Sequence, residues 1–310
     1  MKKTFQATSV GVLTAALLGV SMPPATAANP IDATGVANAY VNSSESFGEN
    51  ITLPNTTDQT IWISTKNGEI GIRALNLDPR VHSVVSDELV KIGEGSDTSF
   101  YLSPFEDGFQ VVGVVANSSA PTDFEFEVLG EGIRLEMMGD GVAIYGTDGA
   151  LLGGFTPPWA KDSKGGSVST AYHLDGNTVI QKVFHRGLDA TDYPIVFDPA
   201  YSSGVLAESW AYGYQSGHRI SATLSAWGRL VHQFSTPTFA VESWNLLYSN
   251  HWQVRDARWI NSLRQQWDCH IAGGVLEWGT WDIETTRPSN PNWRDRILTY
   301  WHTPSLVCNW

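Results

Sequence analysis

Only two cysteines, Cys269 and Cys308, occur in the 310 residues, and they form no Cys-x-x-Cys pair. The eight histidines are scattered, with no two spaced three or four apart. That distribution excludes the usual zinc frameworks. Asp140, Asp148 and Asp162 sit in separate turns, so no carboxylate calcium loop is formed either. A Gly-x-Ser-x-Gly elbow, a P-loop and a dinucleotide fingerprint are all missing, and no cofactor or metal is expected. Positive charge is scarce as well: 19 lysines and arginines face 32 acids, a net of −13. From Leu206 onward there are eight arginines and no lysine, balanced by eight acids. The deficit of basic residues therefore lies upstream, and a phosphate-tracking surface for nucleic acid has no footprint.

No segment after Met22 is long and apolar enough to span a bilayer. The run from Ala7 to Met22 is about sixteen residues, short of the roughly 20 that a span needs. Lys2 and Lys3 precede it and Ala25-Thr26-Ala27 follows it, so residues 1–27 are expected to be a cleavable signal peptide. The protein is then expected to be secreted or cell-envelope associated, with no membrane span after cleavage. In an oxidising compartment Cys269 and Cys308 would close a loop of about 40 residues, worth roughly 4 kcal/mol. The other reading leaves Cys269 free as a thiolate nucleophile.

Composition divides the rest. Residues 28–58, rich in Asn, Ser and Thr with little apolar periodicity, read as a flexible lead-in. Residues 59–204 read as an acidic all-β module, an antiparallel sandwich or barrel, because apolar residues alternate and glycine turns recur. Phe124, Phe126 and Val128 alternate with Glu125 and Glu127. Lys66-Asn67-Gly68-Glu69 and Asp175-Gly176-Asn177 mark hairpins. Residues 205–310 hold eleven of the thirteen tryptophans and read as a small α+β domain. There, strands are expected within Arg219 to Leu230. Helices are expected after Thr236-Pro237, after Asp256 and after Asn290-Pro291. An extended segment is expected from Leu276 to Thr286, with Trp278 on one face and Trp281 and Ile283 on the other.

Two sets of residues match known patterns. Pro157-Pro158-Trp159-Ala160-Lys161-Asp162, Asp175 to Gln181 and Tyr193-Pro194-Ile195-Val196-Phe197-Asp198-Pro199 together resemble a β-rich module of secreted actinobacterial proteins. Cys269-His270, the run Trp281 to Pro288 and Cys308-Asn309 resemble the C-terminal domain of the exported actinobacterial family DUF2599, whose function is unknown. The resemblance implies export and this two-part layout, and it attaches no chemistry to any residue.

Asp268-Cys269-His270 gathers three reactive side chain types, but neighbours on a helix diverge by about 100° and cannot form a triad among themselves. His270 could instead meet Glu284 across the fold as an acid–base pair, with Arg287 in the same pocket. The competing reading is structural: a histidine hydrogen-bonded beside the disulfide, and Arg287 paired with Glu284 or Asp282. Tryptophan combines a large flat face with little entropy to lose, which suits sugar rings and protein hot spots. Trp252, Trp278, Trp281, Trp293 and Trp310 are the binding candidates, whereas the helix-spaced Trp259 and Trp267 read as core. Three functions follow as expectations. The first is a non-enzymatic binding protein for a cell-envelope glycan or another secreted protein. The others are an exported effector of bacteriocin type and an envelope glycan or peptide hydrolase using His270 and Glu284.

Overall fold

Thr65-Lys66-Asn67-Gly68 shows how local chemistry sets register. Thr65 pairs with Gly68, so the loop is Lys66-Asn67, one position earlier than a central Asn-Gly would put it. The Thr65 hydroxyl closes this turn, accepting from Asn67 N at 3.2 Å and donating to Gly68 O at 2.8 Å. A computed structural model describes residues 32–40, 50–54, 59–78, 83–86, 89–105, 108–273, 279–300, 307, 308 and 310. The strands in chain order are β1 (Ile51–Thr52), β2 (Ile61–Thr65), β3 (Gly68–Ala74), β4 (Ser83–Ser86), β5 (Leu89–Gly95) and β6 (Thr98–Phe105). There follow β7 (Gly108–Val115), β8 (Asp123–Leu129), β9 (Arg134–Met138), β10 (Gly141–Tyr145), β11 (Leu151–Phe155) and β12 (Trp159–Lys161). The last are β13 (Thr170–Asp175), β14 (Thr178–Val183), β15 (Ile195–Asp198), β16 (Ala200–Ser202), β17 (Leu206–Tyr214), β18 (Gly217–Leu224) and β19 (Thr280–Glu284). The helices are α1 (Ala33–Asn38), α2 (Ala226–Phe234), α3 (Thr236–Asn250), α4 (Trp252–Arg255), α5 (Ile260–Gly273) and α6 (Trp293–Tyr300).

The β module is a sandwich of two open antiparallel sheets, not a closed barrel. One sheet runs β1-β2-β3-β8-β14-β13; the other runs β4-β5-β6-β7-β16-β11-β10-β9, with β15 joining β7 and β12 joining β15. On β8, Phe124, Phe126 and Val128 point into the core while the glutamates between them stay partly exposed. They meet Phe100, Phe197, Val111 and Leu152 of the other sheet, and the Phe124 and Phe197 rings stack at 4.1 Å. Every residue of β7 is buried because the larger sheet is covered on both faces. On its second face Val112, Val114 and Val196 pack under α1, which lies within the segment read as a lead-in.

The rest of that second face carries the C-terminal region. Met138, Ala143 and Leu151 share one core with Trp227, Leu230, Phe239, Trp267, Trp281 and Ile283. Close approach requires Gly154, since a Cβ there would run into the Trp227 ring. The expectation of strands from Arg219 to Leu230 is corrected after Leu224. The Ser225 hydroxyl accepts from Gly228 N at 2.8 Å, capping α2, and Trp227, Leu230 and Val231 then bury one helical face. The helix opened by Thr236-Pro237 is α3, capped at Ser235. On α5, Leu263 and Trp267 are fully buried. β17, β18 and β19 form a separate antiparallel sheet whose inner face packs on these helices. Cys269 and Cys308 are joined in a disulfide with Cα atoms 5.5 Å apart, closing the α+β region onto its last described residues. No helix among the described residues is long and apolar enough to cross a membrane.

Candidate functional site

The two faces of the three-stranded sheet differ in kind. Ala211, Ile220 and Ile283 lie in register across the strands, as do Ser209, Ala222 and Trp281, and both rows face the helices. The alternate residues form the opposite rows: Glu208, Thr223 and Thr280; Trp210, Ser221 and Asp282; Tyr212, Arg219 and Glu284. Trp210 is 40% exposed and Tyr212 41% exposed, so this face is open to solvent. Tyr214 continues the aromatic line along β17, with the Arg219 guanidinium 3.8 Å from its ring centre.

An ionic network stands beside the aromatic line. Glu284 is buried at 1% exposure, and both its oxygens are occupied. Arg219 donates to Oε1 from Nε at 3.0 Å and from Nη2 at 2.6 Å, and Arg287 donates to Oε2 from Nε at 2.6 Å. Gln266 on α5 locks the same residue's backbone, accepting from Glu284 N and donating to Glu284 O. Arg219 also reaches the Tyr212 hydroxyl at 3.4 Å and Asp282 Oδ2 at 3.4 Å. Ser221 donates to Asp282 Oδ1 at 2.6 Å. Partial burial opposes the charge on Arg219, but hydrogen bonds to Glu284 and Tyr212 and the nearby Asp282 prevail and raise its pKa above the ordinary value. These fixed hydrogen-bonding groups beside flat rings suit a polar ring-shaped ligand.

The sequence candidates are distributed differently from the acid–base expectation. Arg287 does meet Glu284, and its Nη1 donates to the Trp310 backbone oxygen at 2.7 Å. His270 approaches β19 from the helix side. Its Nε2 lies 2.9 Å from Asp282 O and its ring stacks on Trp281 at 5.6 Å, so Glu284 and His270 address opposite faces of the strand. Asp268, raised by burial against the pull of Arg264 and Arg294, pairs with Arg264 at 2.8 Å. Cys269 is in the disulfide and has no free thiol.

Among the tryptophans, Trp281 is 1% exposed, enclosed by His232, Phe239, Trp267 and His270. Trp293 is buried with Cys269, Val307 and Cys308. Trp310 donates from its indole to Pro288 O at 2.9 Å. Trp252 is 50% exposed and meets His218 edge-on at 5.3 Å. Trp278 lies outside the described residues. Trp210, Tyr212, Arg219, Ser221 and Asp282 were not among the sequence candidates. Their signal was the alternation Glu208-x-Trp210-x-Tyr212-x-Tyr214, a strand that puts its large rings and a carboxylate on one side.

From the matched segments of the β module, Trp159, Gln181 and Asp198 meet, while the Asp175-Gly176-Asn177 turn is exposed. Trp159 pairs with Asp198 across β12 and β15, and its backbone N–H donates to Asp198 Oδ1 at 3.1 Å. Gln181 Nε2 donates to Trp159 O at 3.4 Å and to the Thr170 hydroxyl at 3.2 Å. Burial pushes the Asp198 carboxyl up to about 8, against the hydrogen bonds from Trp159 and Gln110. Gln181 and Asp198 are buried, and Trp159 and Thr170 are half-buried beside them. Comparison with protein-family models, with curated proteins and with solved structures gives no match.

Proposed function

We propose that this chain is a secreted, cell-envelope-associated binding protein that takes a glycan on the outward face of the β17–β18–β19 sheet. The observation that carries the reading is the pair of solvent-open rings, Trp210 and Tyr212, in line on one strand beside the partly exposed Asp282 and Arg219. A sugar presents an apolar C–H face for stacking and a rim of hydroxyls for hydrogen bonds, and this surface offers both complements. A non-enzymatic role is supported by the state of Glu284. Both of its oxygens are held by guanidinium groups and His270 addresses the other face of the strand, so the two do not form an acid–base pair. Export is supported by the N-terminal pattern and by the disulfide, which is typical of oxidising compartments.

Co-sedimentation with washed bacterial cell envelope tests the proposal. The full chain binds saturably, whereas Trp210→Ala and Tyr212→Ala bind at least about ten-fold more weakly with little change in melting temperature, since both rings are half open. Absence of binding, or binding unchanged in both variants, contradicts it.

A further inference from the structure

Among the described residues of the α+β region, several aromatic rings carry one of the chain's own guanidinium groups. Arg219 lies over Tyr214 at 3.8 Å, Arg258 over Trp259 at 4.3 Å, Arg294 over Trp293 at 4.6 Å and Arg264 over Trp244 at 4.9 Å. Such pairs form because the face of the ring is the negative end of its quadrupole, and indole is the strongest of the three ring types. On the outward face of the three-stranded sheet Trp210 is half open, and no cation of the chain lies over it among the described residues.

The charges around Trp210 are unequal. Glu208, two residues before it on the same face, is exposed and has no ion pair among the described residues. The cations within reach of that face are engaged elsewhere: Arg219 with Glu284, Asp282 and the Tyr214 ring, and Arg287 with Glu284 and Trp310. The outward face thus keeps one unneutralised carboxylate beside one bare indole. Beyond it, the net charge of −13 favours the approach of a cation and disfavours a polyanion.

We infer that the glycan taken by this face carries a free amine, whose ammonium group lies over Trp210 with Glu208 as its counter-charge. The inference rests on the glycan reading and narrows it to amino sugars that are not N-acetylated. N-acetylation removes the positive charge and leaves the ring, its hydroxyls and the chain length unchanged, so it separates the two ideas.

The test titrates the full chain by calorimetry with the β-1,4-linked tetramer of glucosamine and with the matching tetramer of N-acetylglucosamine, at about pH 6 where the sugar amine is protonated. The amine tetramer binds about ten-fold more tightly, in the range of a partly desolvated cation–ring contact. Glu208→Gln and a rise in ionic strength both shrink that preference, and Trp210→Ala removes it. Equal affinity for the two tetramers overturns the inference and leaves the glycan reading standing. Binding of neither overturns the inference, and the glycan reading then rests on the co-sedimentation result alone. A preference for the amine that survives in Glu208→Gln and in Trp210→Ala places the cation elsewhere on the acidic chain and overturns the inference alone.

Discussion

Replacing Asp198 by asparagine changes how stability depends on pH. In the folded chain this carboxyl is 2% exposed, and burial carries it from an ordinary 3.8 to about 8. Between about pH 5 and pH 8 the unfolded chain has released a proton that the folded chain still holds. A group whose folded value is raised in this way loses stability as pH rises. Each pH unit removes about 1.4 kcal/mol, so the interval removes about 4 kcal/mol and the loss levels off above the folded value. The amide of the Asp198→Asn variant cannot titrate. Its oxygen still accepts from Trp159 N, and the exchange of the other carboxyl oxygen for an amide nitrogen costs about 1 kcal/mol. Because the loss begins at the unfolded value of 3.8, the two stability curves cross between about pH 4 and pH 5, and the variant is stronger by roughly 5 kcal/mol at pH 8 to 9. His251, pushed down by burial and by Arg255, acts in the opposite sense, losing stability as pH falls, and cancels in the difference between the two chains. Urea unfolding at pH 5 and pH 9 measures both curves. A wild-type chain whose stability relative to the Asp198→Asn variant is the same at both pH values refutes the reasoning.

Other perturbations act on the α+β region. Joint replacement of Cys269 and Cys308 by serine, measured by thermal unfolding, removes a 39-residue closure worth roughly 4 kcal/mol. Glu284→Gln leaves Arg219 and Arg287 without their shared counter-charge. It costs about 2 kcal/mol in urea unfolding, less than a fully buried pair because both guanidinium groups reach solvent.

Legibility in the sequence followed how many local signals agreed. On β8 the alternation of Phe124, Phe126 and Val128 with glutamates matched the side on which the second sheet lay, so pattern and packing coincided. The Gly176-Asn177 loop between β13 and β14 was equally plain, with Gly176 at φ +57° where a side chain would be strained. α2 was obscured because Ile220 to Leu224 and Trp227 to Val231 each mix apolar residues with one or two polar ones, and only the Ser225 cap separates strand from helix. Trp281 and Trp210 show the main difficulty with the site. Both sit on strands with polar neighbours, and the sequence does not state that helices α2, α3 and α5 cover the first while the second stays half open. The pairing of Arg219 with Glu284 was hidden for a similar reason, since 65 positions separate two residues that sheet register makes neighbours.

Two exposed tryptophans, Trp210 and Trp252, offer competing places for the ligand, and the outward sheet face around Trp210 is the one proposed. Trp210 at 40% and Trp252 at 50% exposure are both open to solvent-borne oxidation and lie on opposite sides of the three-stranded sheet. Oxidative footprinting of the full chain with and without saturating cell-envelope glycan compares them in one experiment. With the glycan on the outward face, ligand lowers labelling of Trp210 several-fold and leaves Trp252 unchanged. Protection of Trp252 with Trp210 still labelled would contradict it.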